Sequence, residues 1–298
     1  MNLAEYRKGN CTEIEGAIPN AIFNVSKEKN VVFSKGNLQF RRMGSHKTME
    51  GTAKGIWRFA ESQYDFIGDG NYSISEDYSG WIDLFSWGTS GWNSGAEVSQ
   101  PWDIDDVDSY SEYYVDYYSD GKVVNLVGKY AYSDWGVYNA ISNGGNQPGL
   151  WRTLSIDEWR YLLQNNRWAL VSVEGILGVM LLPADFIAPK GITVSEVGVG
   201  KMTEYKLDFA TIENQYSFEQ FAQLEECGVV LLPACGSRIR FQTNMIILGV
   251  GELGHYWSTS AENTKRVKNL SFDSDGIDLR DSGGYQFGQS VRLVQDIK

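Results

Sequence analysis

YWSTSAENTKRVKNLSFDSDGIDLRDSGGYQFGQSVRLV, residues 256–294, opens on two aromatic residues, closes on an apolar strand and holds mostly small or polar residues between them. Within it, KNLSFDSDGIDLRD (268–281) alternates: Leu270 and Phe272 precede DSDG, and Ile277 and Leu279 follow it. Successive strand side chains point to opposite faces, so a period of two around a turn signal predicts a β-hairpin. Leu270, Phe272, Ile277 and Leu279 are expected to face a core, with Lys268, Ser271, Asp273, Asp278 and Arg280 outward. The last strand, QSVRLVQ (289–295), is expected to turn Val291 and Leu293 inward. Anchors of this kind build a sheet and leave its polar positions free to vary at little cost to the fold.

Upstream, two short helices can be read with a mechanism. In SIDEWRYLLQN (155–165), Ser155 caps the first amides and Glu158 reaches back to complete a capping box, with Ile156, Trp159, Leu162 and Leu163 as the apolar face. In SFEQFAQLEECG (217–228), Ser217 and Gln220 form the box, Phe218, Phe221 and Ala222 face inward, and Gly228 ends the helix. Each helix is followed by a similar apolar segment, LGVMLLPADF (177–186) and CGVVLLPACG (227–236), and the two are expected to pair in one sheet. NVVFSKGNLQFR (30–41) reads as a hairpin around SKGN, with Val32, Leu38 and Phe40 inward, and KGIWRFAESQYDFIG (54–68) as strand and turn with Trp57 and Phe59 on one face. Residues 1–29 are polar and weakly patterned and read as an arm or lead-in. Residues 78–150, rich in Gly, Trp, Tyr, Ser and Asp, read as long ordered loops packed by large rings. Trp81, Trp87, Trp135, Trp151 and Trp159 are assigned to that packing.

A chain of 298 residues, 42% hydrophobic, is long enough for a large core. Its net charge of -12 and pI near 4.7 argue against nucleic acid and anionic membrane surfaces, which demand clustered Lys and Arg. No apolar run reaches the ~20 residues that span a bilayer, and MNLAEYRKGNCTEIEG does not read as a secretory signal. The three cysteines, Cys11, Cys227 and Cys235, are too sparse for a disulfide framework and read as buried thiols. Two histidines, His46 and His255, and no CxxC leave no zinc-ligand spacing.

WRTLSIDEWRYLL (151–163), GVMLLPADF (178–186), GVVLLPACGSR (228–238), GHYWSTS (254–260) and GQSVRLV (288–294), in that order, resemble the C-type lectin fold of the formylglycine-generating-enzyme-like branch, and more narrowly the variable proteins of diversity-generating retroelements. The resemblance covers residues 30–298. It implies an α+β domain, with two short helices around small antiparallel sheets and long ordered loops, and a variable region at about 256–294. In that family a reverse transcriptase rewrites the variable region at adenines, and the fold displays the result as a ligand-binding face; one branch sits at phage tail tips and binds host receptors.

Rewriting Asn codons that end in a pyrimidine yields Ser, Asp, Arg or Tyr, but not Glu or Lys. Ser271, Asp273, Asp275, Asp278, Arg280, Asp281, Ser282 and Tyr285 fit that set; Glu262, Lys265 and Lys268 do not, and are framework or descend from other codons. With Thr264 and Arg266, the eight form the candidate ligand face, and tyrosines among Tyr110, Tyr113, Tyr114, Tyr117 and Tyr118 are candidates to join it. The implied role is non-enzymatic binding of a cell-surface receptor protein or glycan, from a phage tail or a bacterial surface. A surface adhesin or sugar-binding lectin without diversification is the alternative, and an ordinary polar hairpin surface the plainer one.

No catalytic residue is assigned. Formylglycine-generating enzymes use a close pair of reactive cysteines, a pattern that Cys227 and Cys235 do not match. Calcium-dependent lectins resemble a Glu-Pro-Asn or Gln-Pro-Asp triplet followed by Trp-Asn-Asp; NQPG (146–149) lacks the acid and YWSTS the Asn-Asp pair. No cofactor is expected beyond a structural calcium ion, for which the run Asp103–Tyr110 supplies oxygens without a Gly-turned loop. The better reading of that run is a solvated acidic loop.

Overall fold

Strand β1 (Ala17–Asn24) lies in a sheet of order β1-β2-β17-β6, with β2 (Asn30–Ser34), β17 (Leu293–Ile297) and β6 (Arg152–Thr153). The computed structural model describes residues 14–43, 55–73, 78–92, 122–195, 212–241, 244–273, 276–279 and 281–297. Reading residues 1–29 as a lead-in is corrected for Ala17–Asn24, because Ile18, Ala21 and Phe23 are buried in the main core; residues 1–13 lie outside the described residues. The register of this strand shifts between Ala17 and Ile22, and Asn20 takes φ +59°, so no clean alternation marks it in the sequence.

The expected hairpin at 30–41 is also corrected. β2 pairs with β1 and β17, whereas β3 (Leu38–Arg42) crosses to a second sheet between β4 (Gly55–Phe59) and β5 (Trp81–Ile82). Val31, Val32 and Phe33 are all buried, as befits a strand covered on both faces. The intervening Gly36 is a crossing point: a Cβ there would sit 2.7 Å from the Ala60 carbonyl oxygen.

A third sheet runs β10-β8-β7-β9, with β7 (Arg167–Val173), β8 (Ile176–Leu182), β9 (Gln215–Tyr216) and β10 (Val230–Pro233). Its β8–β10 pair, Val230 opposite Leu181 through Pro233 opposite Gly178, is the pairing expected of the two similar apolar segments. Helix α1 (Trp135–Tyr138) precedes it in the chain, capped by the Asp134 side chain. Helix α2 (Ile156–Asn165) begins with the expected Ser155–Glu158 box and buries Ile156, Trp159, Leu162 and Leu163. Helix α3 (Phe218–Glu226) has the Ser217–Gln220 box but buries Phe221 and Leu224. The face expected at Phe218 and Ala222 is therefore corrected. Ala222 is exposed, and Phe218 is 42% exposed with its ring against Tyr64, centroids 4.5 Å apart. Gly228 ends the helix at φ +84°, where a Cβ would meet the Asn20 carbonyl oxygen at 2.3 Å.

Strands β11 (Ser237–Phe241) and β12 (Asn244–Leu248) pair with each other. The last sheet holds β13 (Gly254–Ala261), β14 (Arg266–Asp273) and β15 (Gly276–Asp278), with β16 (Ser282–Gly284) also on β14. Tyr256, Leu270, Phe272, Ile277 and Leu279 join α2 in the main core, while Trp257 and Val267 enter a second core built on Trp57, Trp87, Trp135 and Trp151. The tryptophans assigned to packing lie there or, for Trp159, in the main core; Trp81 differs, being only partly buried with Arg41 and Arg58 stacked on its ring.

Val291 and Leu293 are buried as expected, yet Arg292 and Val294 are too. Arg292 donates to Asn37 Oδ1 (3.3 Å) and Gln63 Oε1 (2.8 Å), and Gln63 in turn holds the Val229 carbonyl and the Leu231 amide. A second arginine, Arg152, ties α2 to β17 by donating to both Glu158 oxygens and to Asp296.

These ion pairs and two lone carboxyls give opposed pH dependences. Asp83 accepts from the Ile67 amide and Asn71 Nδ2, and Asp134 from the Thr153 and Gly136 amides and the Thr153 hydroxyl. Burial nevertheless pushes both up to about 6, since these bonds offset only part of the desolvation. The folded chain therefore takes up these protons before the unfolded chain does, so their contribution is full at low pH and is lost as pH rises through about 6. Burial would also raise Glu158 and Asp296, but Arg152 brings both below their ordinary values. Their contribution is present at neutral pH and is lost below the usual carboxylate range. The expected result is a stability higher at about pH 5 than at about pH 7.5, by roughly 1 kcal/mol for each of Asp83 and Asp134, with a correspondingly higher Tm that falls again below about pH 4. Thermal melts across that range check it, and a Tm that drops steadily from neutral pH downward contradicts it.

Candidate functional site

The β13–β16 sheet carries the candidate face, and its geometry follows from two-residue periodicity. His255, Ser271 and Asp278 stand in register across β13, β14 and β15, as do Gly254, Phe272 and Ile277 one residue along. The second row is buried and Phe272 lies against Gly254, where a Cβ would be 2.1 Å from the ring. On the opposite face of the sheet Asp273 is exposed, while His255, Asp278 and Asp281 are partly so. His255 Nε2 lies 3.6 Å from Asp281 Oδ2. That imidazole holds the Asp281 carboxyl below its ordinary range, against the upward push of burial and with help from the Ser282 amide and Ser271.

The other end of the sheet is a mixed-charge cluster. Ser282 Oγ donates to Glu262 Oε2 at 2.5 Å and accepts from Arg266 Nε at 2.8 Å, while Arg266 also donates to the Ser282 carbonyl. Arg266 and Lys268 lie 3.6 and 3.9 Å from Glu262. Asn263 Oδ1 turns the β13–β14 loop by accepting from the Lys265 and Arg266 amides. Glu262, one of the residues outside the adenine-rewriting set, is thus a hub joining that loop to β16.

Thr264 and Tyr285 come together in a small cleft that Trp87, Lys122, Val124 and Ala261 complete. The cleft is held rigidly from beneath. The Trp87 amide donates to the Tyr285 carbonyl, Trp87 Nε1 to the Ser258 carbonyl and Trp257 Nε1 to the Phe85 carbonyl. Asn269 Nδ2, donating to Gln289 Oε1, links β14 to the closing segment.

Of the ten face residues, Arg266 and Asp273 are exposed, and Thr264, Asp278, Asp281 and Tyr285 are partly exposed. Ser271 and Ser282 are corrected from outward to buried, at 9% and 7%, because their hydroxyls bond within the sheet. Asp275 and Arg280 lie outside the described residues, as do Cys11, His46, the acidic run Asp103–Tyr110 and the tyrosines 110–118. Trp87, Lys122, Val124 and His255 join the site unannounced: the first three come from distant sequence, and a lone His on a strand carries no motif.

The buried thiol offers little nucleophilic chemistry. Cys235 is 1% exposed beside Asn37 and Tyr256, and burial pushes it up to about 12. Cys227 is partly buried at the end of α3 and is not disulfide-bonded. Among the described residues no three His, Cys, Asp or Glu side chains gather as a metal site, and no helix is long and apolar enough to cross a membrane. Comparison with protein-family models, with curated proteins and with solved structures finds no match to this chain. The resemblance to lectin-fold variable proteins therefore rests on the five sequence motifs.

Proposed function

We propose that this protein is a non-enzymatic recognition protein of C-type lectin fold, displaying a diversified face on β13–β16 to a cell-surface receptor protein or glycan. The observation that carries this reading is the division of labour within one sheet. Leu270, Phe272, Ile277 and Leu279 are at most 3% exposed, and burying such side chains contributes about 1.5–3 kcal/mol each. Asp273, Asp278, Asp281, Thr264 and Tyr285 reach solvent from the same strands and loops. A sheet so anchored tolerates change at its outward positions, which is what a diversified binding face demands. Five ordered motifs resembling the retroelement variable proteins support the same reading. A phage tail or a bacterial surface is the proposed carrier.

The deciding experiment is genetic. DNA beside the gene is expected to hold a repeat of the 256–294 coding region that differs at adenines, next to a reverse-transcriptase gene. Sequenced flanks with neither would remove the diversification and leave an invariant binding surface.

A further inference from the structure

A second polar surface lies away from the β13–β16 face: an open groove of about 470 Å³ to which no residue of that sheet contributes. Its size falls in the range of small-molecule clefts, ~300–1,000 Å³. One wall is prearranged. Arg58 stacks its guanidinium on the Trp81 ring, 3.8 Å from the centroid, and donates from Nε to Oε1 of the buried Gln39 at 3.0 Å. These contacts leave Arg58 Nη2 and Gln39 Nε2 as donors without a partner among the described residues. Glu61 accepts from Arg58 and Lys35, and Asp65 accepts from the Ser62 amide through Oδ2, leaving Oδ1 as an acceptor. Tyr64 stands over Phe218, its hydroxyl without a partner among the described residues, and Phe66, Ile67 and Ile176 supply half-buried apolar surface.

The groove is lined by one cation, Arg58, and two carboxylates, Glu61 and Asp65, and Lys35 beside it pairs with Glu61. An anion would face the two carboxylates and a cation would face Arg58. A neutral ligand rich in hydroxyls satisfies both sets, since each hydroxyl can donate to a carboxylate and accept from a guanidinium or amide. Apolar and aromatic patches beside those groups suit the C–H faces of a sugar ring. We propose that this groove is a binding site for a short neutral glycan, independent of the β13–β16 face.

Purified full chain would be applied to immobilised neutral gluco-, galacto- and manno-oligosaccharides, with sialylated and amino-sugar glycans alongside. The proposal expects retention on at least one neutral class and at least tenfold weaker retention for Arg58→Met and for Asp65→Ala. Asp65→Ala alters one surface carboxylate, so it decides the matter if Arg58→Met melts early. A chain with Thr264, Asp273 and Asp278 all changed to Ala is expected to bind these glycans as before, which separates this site from the proposed display face. Absence of neutral-glycan binding, stronger binding of the charged glycans, or indifference to Asp65→Ala would overturn it.

Discussion

Trp159→Ala is expected to lower stability by about 3–5 kcal/mol, the usual cost of emptying a buried aromatic site. Trp159 is fully buried on α2, with its ring centroid 6.0 Å from that of Phe33 on β2. The helix also packs on β1, β13 and β14, so one side chain helps fill the space between the sheet that carries β17 and the sheet that carries the candidate face. Little can move in to fill the gap, because the capping box and the Arg152–Glu158–Asp296 clamp fix α2 at its N-terminal end. Thermal or urea melts of the variant check this. A loss within about 0.5 kcal/mol, typical of surface substitutions, would mean that α2 does not sit against the core as described.

The parts of this fold that could be read in advance are those specified by neighbours in sequence. Ser155 and Glu158, or Ser217 and Gln220, are three residues apart and report a helix start whatever surrounds them. The 268–281 alternation reports a hairpin for the same reason. Strand partners chosen from afar leave no such mark: β2 pairs with β17 across most of the chain, and nothing in NVVFSKGNLQFR says that its two strands part company. The tail shows a related blind spot. Arg292 looks like an outward residue between Val291 and Leu293, but Asn37 and Gln63, more than two hundred residues earlier, accept from its two terminal guanidinium nitrogens and offset part of the cost of burial. At the candidate face, periodicity distinguished Phe272 from Asp273 correctly. It could not tell that Ser271 and Ser282 turn their hydroxyls back into the sheet, nor that Trp87 and Lys122 meet Thr264 and Tyr285.

Phe272→Ala is the second large effect, again about 3–5 kcal/mol, and its value lies in comparison with its neighbours. Phe272 is 1% exposed and lies parallel to Tyr256 at 6.2 Å, in the row that also holds Ile277. Asp273 follows it in the chain yet points to solvent, and Asp278 follows Ile277 in the same way. Changing Thr264, Asp273 and Asp278 together to Ala is therefore expected to cost at most about 1.5 kcal/mol, three exposed or half-exposed positions at ~0.5 kcal/mol each. Strand geometry compels the contrast, since a residue and its successor cannot share a face. Binding to candidate host-cell surfaces should respond the other way, weakening in the triple variant while the Phe272 variant, assayed well below its lowered Tm, keeps its specificity. Melts and cell-binding measurements on both chains provide the comparison. If the triple variant lost as much stability as Phe272→Ala, the outward positions would be part of the framework and the proposed display face would fail on physical grounds. Were it as stable as expected but unchanged in binding, the outward positions would be tolerant of change without being the binding face, and the proposed display face would fail on functional grounds.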